Sequence, residues 1–352
     1  MYDNSLLYIL IFNIIYIILY YSIIYYNKRP VYIISNIPGG GAVKYLNDIK
    51  KHYNNNRYIY IKSKNDLNHI NLQKNDILFI QHIINTDITI DDLINKPKNN
   101  CHTYLSIHDF HWLIGNNSFD DVASAYLLSD DKIINLPNYN KLQKLFSTIN
   151  IIIHPSKFTY NIYNKFHSNK NFSLINHNDY YLNNNSLYVP SINNNTINIG
   201  NLSGFDEYKG KEYILNLIDK YKTYKNYNIN FLIVGKNLPS YNETEYYDYV
   251  KIYNIHGLTY LNKWGETWCY SLSKALNTGL PIVYNNIGAF KERITNKPQY
   301  FKAFDTEYDD IKKIYRAFDN ILDYIIENNG KYNKLYSNKE IVYNPSYDKL
   351  FN

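Results

Sequence analysis

Residues 265–283, GETWCYSLSKALNTGLPIV, carry the punctuation from which the fold is read. Apolar residues recur at helical spacing over 267–277. Gly279 just past that stretch, with Pro281 beyond it, is a helix stop signal. The short apolar run 281–284 that follows reads as a strand. A helix that ends on glycine and passes straight into a short strand is one half of a repeating βα unit.

Working outward, the same alternation recurs. Strands are expected at 197–199, 230–234 and 250–255. A glycine-bearing loop runs to Gly210 and a helix over 211–221, and a long helix spans 309–328. A polar, Asn-rich stretch at 176–195 reads as a linker. Before it, strands are expected at 31–36, 58–62, 77–81, 104–107 and 149–153, with helices at 42–51 and after Pro155-Ser156, where Ser156 is a suitable N-cap. Continuous apolar runs such as 149–153 suit parallel strands buried on both faces. The expected fold is therefore α/β, with two facing Rossmann-like, doubly wound domains, 30–190 and 191–352, and a cleft between them.

Residues 1–29 read differently. From Leu6 to Tyr26 about 21 residues pass without a charge, matching the thickness of a bilayer core. Asn13 and Ser22 are the polar interruptions, and Tyr20, Tyr21, Tyr25 and Tyr26 suit the headgroup level. The run is longer than a signal-peptide core, and no small-residue cleavage site follows it. The expectation is a single-pass anchor in a lipid bilayer. Lys28 and Arg29 after it place the rest of the chain on the cytosolic side.

Composition narrows the function classes. A hydrophobic fraction of 45% supports a packed core. The formal charge of +6 comes from lysines scattered among acids, with no basic stripe interleaved with aromatics, so no nucleic-acid partner is expected. Cys101 and Cys269 are the two cysteines, too few for a disulfide framework and in keeping with a reducing compartment. No Cys/His cluster has zinc-site spacing, and no metal is expected.

Several residues are placed for chemistry. Gly39-Gly40-Gly41, between a strand and a helix, leaves bare backbone where a phosphate or sugar can approach a helix N-terminus; a tight turn accounts for one or two of these glycines. A dinucleotide fingerprint needs glycine where Lys44 stands, and the second strand lacks a terminal acid for a ribose, which argues against an oxidoreductase. His108-Asp109 follows a strand at the carboxyl edge, where α/β ligands bind. His108 there either meets a sugar hydroxyl or a developing charge, or caps the backbone. His111 adds a His-x-x-His spacing without further ligands. Lys209 before Gly210 either neutralises a diphosphate at a helix N-terminus or is a surface lysine. Glu266, at the expected helix entrance, either accepts sugar hydroxyls or stabilises the helix dipole. Gly288 follows the next strand in a loop that admits a phosphate.

Taken together, Gly39–Gly41, His108-Asp109-Phe110, Pro155-Ser156-Lys157-Phe158, Gly200 to Lys209-Gly210 and, above all, Glu266 to Val283 resemble group 1 (family 4) retaining glycosyltransferases of the GT-B fold, particularly forms encoded by large DNA viruses. The resemblance covers nearly everything after residue 30. It implies a nucleotide-sugar donor held mainly by the C-terminal half and transferred to a glycan, lipid or protein, without metal or other cofactor. Lys209 is then the diphosphate contact and Glu266, first of a Glu-x7-Glu motif, the donor-sugar contact. His108 reaches in from the N-terminal half, and Gly40, Gly41 and Gly288 line the donor site. The absence of any Asp-x-Asp triplet argues against a metal-dependent GT-A transferase. Two departures stand out. Lys274 occupies the second Glu position, where it cannot accept hydrogen bonds from ribose hydroxyls but can pair with a phosphate. Asn201 stands where the resemblance expects an arginine. The alternative they open is a catalytically silent, membrane-anchored protein of the same fold that binds or scaffolds.

Overall fold

The computed structural model describes residues 29–36, 40–54, 56–114, 136–166, 171–177, 189–241, 245–295, 302–307 and 310–329, together with residues 11, 13–17 and 20. Those few amino-terminal residues are helical and exposed. The rest of the expected membrane segment lies outside the described residues, as do Gly39, most of the expected linker and the stretch after 329. Among the described residues no helix is long and apolar enough to cross a membrane.

The first half runs β1 (Pro30–Ile34), α1 (Gly40–His52), β2 (Arg57–Ile61), α2 (Lys64–His69), β3 (Ile77–Ile80), α3 (Ile90–Asn95), β4 (His102–Ser106), α4 (His111–Ile114), α5 (Tyr139–Ser147), β5 (Ile151–His154), α6 (Lys157–Phe166) and β6 (Phe172–Leu174). Its six strands are all parallel, in the order β2-β1-β3-β4-β5-β6. The register sets Ile33 of β1 against Phe79 of β3 and Phe79 against Tyr104 of β4. Every residue of β3 is buried, the signature of a strand with helices on both faces.

The second half runs β7 (Thr196–Asn201), α7 (Lys211–Lys220), β8 (Thr223–Tyr224), β9 (Tyr227–Ile233), α8 (Tyr246–Ile252), β10 (Gly257–Tyr260), α9 (Tyr270–Thr278), β11 (Ile282–Asn285), α10 (Ala289–Thr295), β12 (Ala303–Thr306) and α11 (Ile311–Glu327). The order is β12-β11-β10-β7-β9-β8, parallel except for the β8–β9 hairpin. In both sheets the first strand lies inside the sheet, and the strand order reverses beside it. The two switch points, β1/β3 and β7/β10, are where α/β sheets open a crevice for ligands at the carboxyl ends of their strands.

Most expected elements form within a few residues of their predicted bounds. Gly279 takes the left-handed conformation (φ +70°) that ends α9, and Ser156 Oγ accepts the Thr159 N–H at 3.2 Å as an N-cap. The exception is 250–255. That stretch is not a strand but the end of α8 and a turn, with Tyr246 and Val250 buried on one helix face and Ile252 73% exposed. Its β-branched and aromatic residues imitate strand alternation, while the true strand, β10, begins at Gly257. β6, β8 and β12 are also present without having been expected.

The halves touch along their carboxyl edges. Glu292 of α10 caps the first turn of α6, its two oxygens accepting the Lys157 N–H at 2.9 and 3.1 Å. A Cβ at Gly265 would lie 2.4 Å from Phe158 Cζ, so only glycine lets the halves close there. A Cβ at Gly41 would lie 3.1 Å from the Tyr270 ring.

Candidate functional site

The site assembles where the carboxyl ends of the two sheets face each other. On the second half, β7 ends at Asn201, and the chain turns through Gly204 into a short helical turn, Glu207–Lys209, before α7. Gly210 joins the turn to α7 with φ +79°, and a Cβ there would sit 1.9 Å from the Leu261 carbonyl oxygen. That contact forces Lys209 against the loop leaving β10. Lys263 N–H donates to the Tyr208 carbonyl (2.9 Å), which fixes the same pairing of loops.

Lys209 meets Glu266 here. The ammonium donates to Glu266 Oε1, and the same oxygen accepts from Asn262 Nδ2 (2.8 Å) and Trp264 Nε1 (3.1 Å). Among the described residues Oε2 has no hydrogen-bond partner. Lys209 and Glu266 side chains are only 15% and 12% exposed. Burial opposes the charge on Lys209, yet the Glu266 carboxylate more than offsets it and holds the lysine above its ordinary pKa. Glu266 is not at a helix entrance as expected: α9 begins four residues later, at Tyr270, so its position owes nothing to a helix dipole. Cys269 lies between them at φ +72°, and burial pushes its thiol up, so it is not a ready thiolate.

Gly288 also differs from expectation. A Cβ there would fall 2.6 Å from Glu266 N and 2.7 Å from Glu266 O, and Ala289 N–H donates to that same carbonyl at 2.8 Å. The close approach of the Glu266 backbone by itself requires a glycine here. Lys274 does not join the carboxylate. Its ammonium sits 5.9 and 5.8 Å from the Tyr241 and Tyr246 ring centroids. Asn201 is buried, donating to the Gly204 carbonyl (3.3 Å) and accepting from Ser203 Oγ (3.1 Å), so it shapes the loop before Lys209.

From the first half comes His108, just past β4. Thr267 Oγ1 donates to its backbone carbonyl at 2.6 Å, tying it to the residue next to Glu266. Its Nε2 is buried and has no hydrogen-bond partner among the described residues. Burial, with His82 nearby, lowers its pKa to about 3, so the imidazole is neutral at neutral pH. Asp109 turns away to hold His82: His82 Nδ1 accepts the Ile84 N–H (3.0 Å) and Nε2 therefore donates to Asp109 Oδ2 (3.2 Å). Burial works against the Asp109 carboxylate, but His82 and the His111 N–H bring it down to about 2. Gly40 stands at φ +78° with open space around its Cβ position, whereas Gly41 is pressed against Tyr270. Among the described residues no group of three or more His, Cys, Asp or Glu could hold a metal ion.

Asn262, Trp264 and Thr267 were not singled out in the sequence, because the strand that positions them was sought at 250–255. The apolar run Leu258–Leu261 behind Gly257 is the signal that would have found them. His82 follows β3 at the same carboxyl edge that exposes His108, and that position is the signal for it.

The sequence matches no protein-family model and no curated protein. Among solved structures the chain is similar to Anabaena Alr3699/HepE in complex with UDP-glucose, at 13% identity over 88% of this chain and 93% of that one, with a TM-score of 0.55. It is similar to a glycosyltransferase from Rickettsia africae ESF-5 at 12% identity over 88% and 93%, TM-score 0.57. It is also similar to the lipopolysaccharide outer core galactosyltransferase WaaB in its apo form, at 11% identity over 88% and 96%, TM-score 0.52. At such identities the likeness establishes the architecture, a two-domain GT-B-like α/β fold with parallel sheets.

Proposed function

We propose that this chain is a glycosyltransferase that moves a sugar from a nucleotide-sugar donor to a hydroxyl on a glycan, lipid or protein. The observation that carries the reading is the arrangement of Glu266: Oε1 is fixed by Lys209, Asn262 and Trp264, which leaves Oε2 to accept a ligand hydroxyl. Solved structures of the same fold are described as complexes with UDP and with UDP-glucose.

In this reading the donor diphosphate lies beside Lys209 and the N-terminus of α7, where an ammonium and the positive end of the helix dipole meet an anion. The donor sugar places a hydroxyl on Glu266, and His108, neutral, exchanges hydrogen bonds with it from the other half. As the bond from the anomeric carbon to the phosphate oxygen breaks, the acceptor hydroxyl oxygen bonds to that carbon and its proton passes to the departing diphosphate, which Lys209 and the helix end stabilise, a role that needs no metal. We further propose a family 4, hexose-transferring reaction that retains anomeric configuration, on the strength of the motif resemblance. Residues 1–29 anchor the enzyme in a bilayer with both domains cytosolic; recovery in the membrane fraction, lost on removal of those residues, tests this.

A second reading is favoured by the pairing of Lys209 with Glu266 and the stacking of Lys274 on two tyrosines: a silent member of the fold that binds without turnover. Donor hydrolysis and binding across UDP-, GDP- and other nucleotide sugars, with EDTA present, separates the two. Selective turnover of one donor supports the enzyme, and binding without turnover, in the presence of candidate acceptors, supports the silent reading. Turnover abolished by EDTA would refute metal independence.

A further inference from the structure

His177 closes the first half, three residues past the end of β6. Asn176 Nδ2 donates to the Pro155 carbonyl (2.8 Å) and Ile175 N–H to the His154 carbonyl (3.0 Å), so the position of His177 is fixed by the sheet edge. Its ring lies between two tyrosines. Tyr45 of α1 stacks on it at 4.1 Å and 21°, and Tyr270 of α9, from the other half, at 5.4 Å and 20°. His108 and Trp268 stand around it with centroids 5.6 and 5.7 Å away. Arg293, whose Nη1 donates to the Trp268 and Cys269 carbonyls at 2.6 and 2.7 Å, holds Trp268 and Tyr270 in place.

His177 is 3% exposed, and among the described residues neither ring nitrogen has a hydrogen-bond partner. His108 Nε2 and Trp268 Nε1 are likewise buried and unpartnered. Folded proteins leave few such groups, because each forfeits its hydration without return. Four ring nitrogens from three neighbouring rings, at the junction of two domains, therefore point to a partner that the described residues do not supply. The rings' chemistry selects it. Burial and the nearby His108 and Arg293 hold His177 neutral, so each imidazole offers one N–H and one lone pair. A phosphate presents acceptors only, whereas a hydroxyl both donates and accepts. The tyrosines cover the ring faces and leave the edge, where the nitrogens lie. The junction opens when the halves part, since Tyr45 and His108 belong to one and Tyr270 and Trp268 to the other.

We infer that His177 is a specificity-determining residue that, with His108 and Trp268, recognises a hydroxyl of a sugar ring in the cleft. The inference rests on the nucleotide-sugar reading above.

The test uses the full chain and two variants, with UDP and GDP as probes of the nucleotide and UDP-glucose, UDP-galactose and GDP-mannose as probes of the sugar. His177→Phe keeps the stack and removes both nitrogens; His177→Asn keeps hydrogen-bonding groups and loses the ring. The inference expects His177→Phe to melt no lower than wild type, to bind free nucleotide unchanged, and to bind the preferred nucleotide sugar roughly ten-fold or more weaker, with partial recovery in His177→Asn. The His177 ring signals in spectra of ¹⁵N-histidine-labelled protein move with the sugar-bearing probe and not with the bare nucleotide. Wild-type sugar-nucleotide affinity in His177→Phe, or ring signals blind to the sugar, overturns the inference and leaves the donor reading standing. Absence of binding by every probe overturns both.

Discussion

The two sheets share the order of a five-stranded parallel core, to which the second adds the antiparallel β8 and the first β6, but they present opposite chemistry at their carboxyl edges. The edge of the second half carries charge: Lys209 against Glu266, with Lys274 over two tyrosine rings. The edge of the first half carries, beside the Asp109 carboxylate, buried and neutral imidazoles, with His108 and His154 both lowered to about 3 and His177 lowered well below the ordinary histidine value. One backbone plan thus builds a wall with an ion pair and a wall of buried imidazoles, which the proposed function assigns to a diphosphate and to sugar hydroxyls respectively. The topology decides where ligands bind, and the side chains just past each strand decide which ligands those are.

The sharpest way to break this contrast is to remove the charged pair. Lys209→Ala or Glu266→Ala should each cut donor turnover by about 10²–10³-fold, the scale for losing one group that stabilises developing charge. Each single variant also leaves its partner buried and uncompensated. The double variant should therefore melt higher than the sum of the singles predicts, which a double-mutant cycle of thermal melts measures. Full turnover in both singles would remove the charged wall from the mechanism.

Next in size is the glycine framework. Gly210→Ala drives a Cβ into the Leu261 carbonyl and should cost about 3 kcal/mol or more in chemical denaturation. Gly40→Ala, with open space and only a positive φ to strain it, should cost about 1–2 kcal/mol. Equal costs would mean that the two loops are under the same constraint.

The imidazole wall has a pH signature. His154 is fully buried with neither nitrogen partnered, and its folded pKa is about 3. An unfolded histidine titrates near 6.5. Between those values the unfolded chain binds a proton that the folded chain does not, so stability is present above about pH 6.5 and is lost as pH falls toward 3. His154→Phe should flatten that acid limb, by an amount on the order of a few kcal/mol at its foot, as read from melting temperature against pH. An unchanged limb would place the acid sensitivity elsewhere.

The smallest effect probes the seam between the walls. Glu292→Gln weakens the cap on α6 across the domain junction and should cost about 1 kcal/mol or less. Faster amide exchange at Lys157, without loss in the sheets, is the measurement.

Much of the fold was legible in the amino-acid order. Apolar periodicity and glycine stops are local, so the βα alternation, the end of α9 at Gly279 and the Ser156 cap could be read directly. The misreading at 250–255 arose because a short run such as Val250 to Ile255 satisfies strand alternation and a helix face alike; burial of Tyr246 and Val250 settles the choice. Of the candidate site, Lys209, Glu266 and His108 were legible as individuals at the ends of expected elements. Asn262, Trp264 and His177 were not, since each takes its meaning from neighbours in space.

By itself, the sequence determined the alternating α/β plan and the glycine stop of α9 at Gly279, because helical period, strand period and positive φ act over a few residues. Only the tertiary structure decided that Lys209 meets Glu266, 57 residues away, that Gly288 serves the Glu266 backbone, and that His177 lies between Tyr45 and Tyr270. Such meetings depend on how two sheets twist, stack and face each other, and that is a property of the whole packed chain.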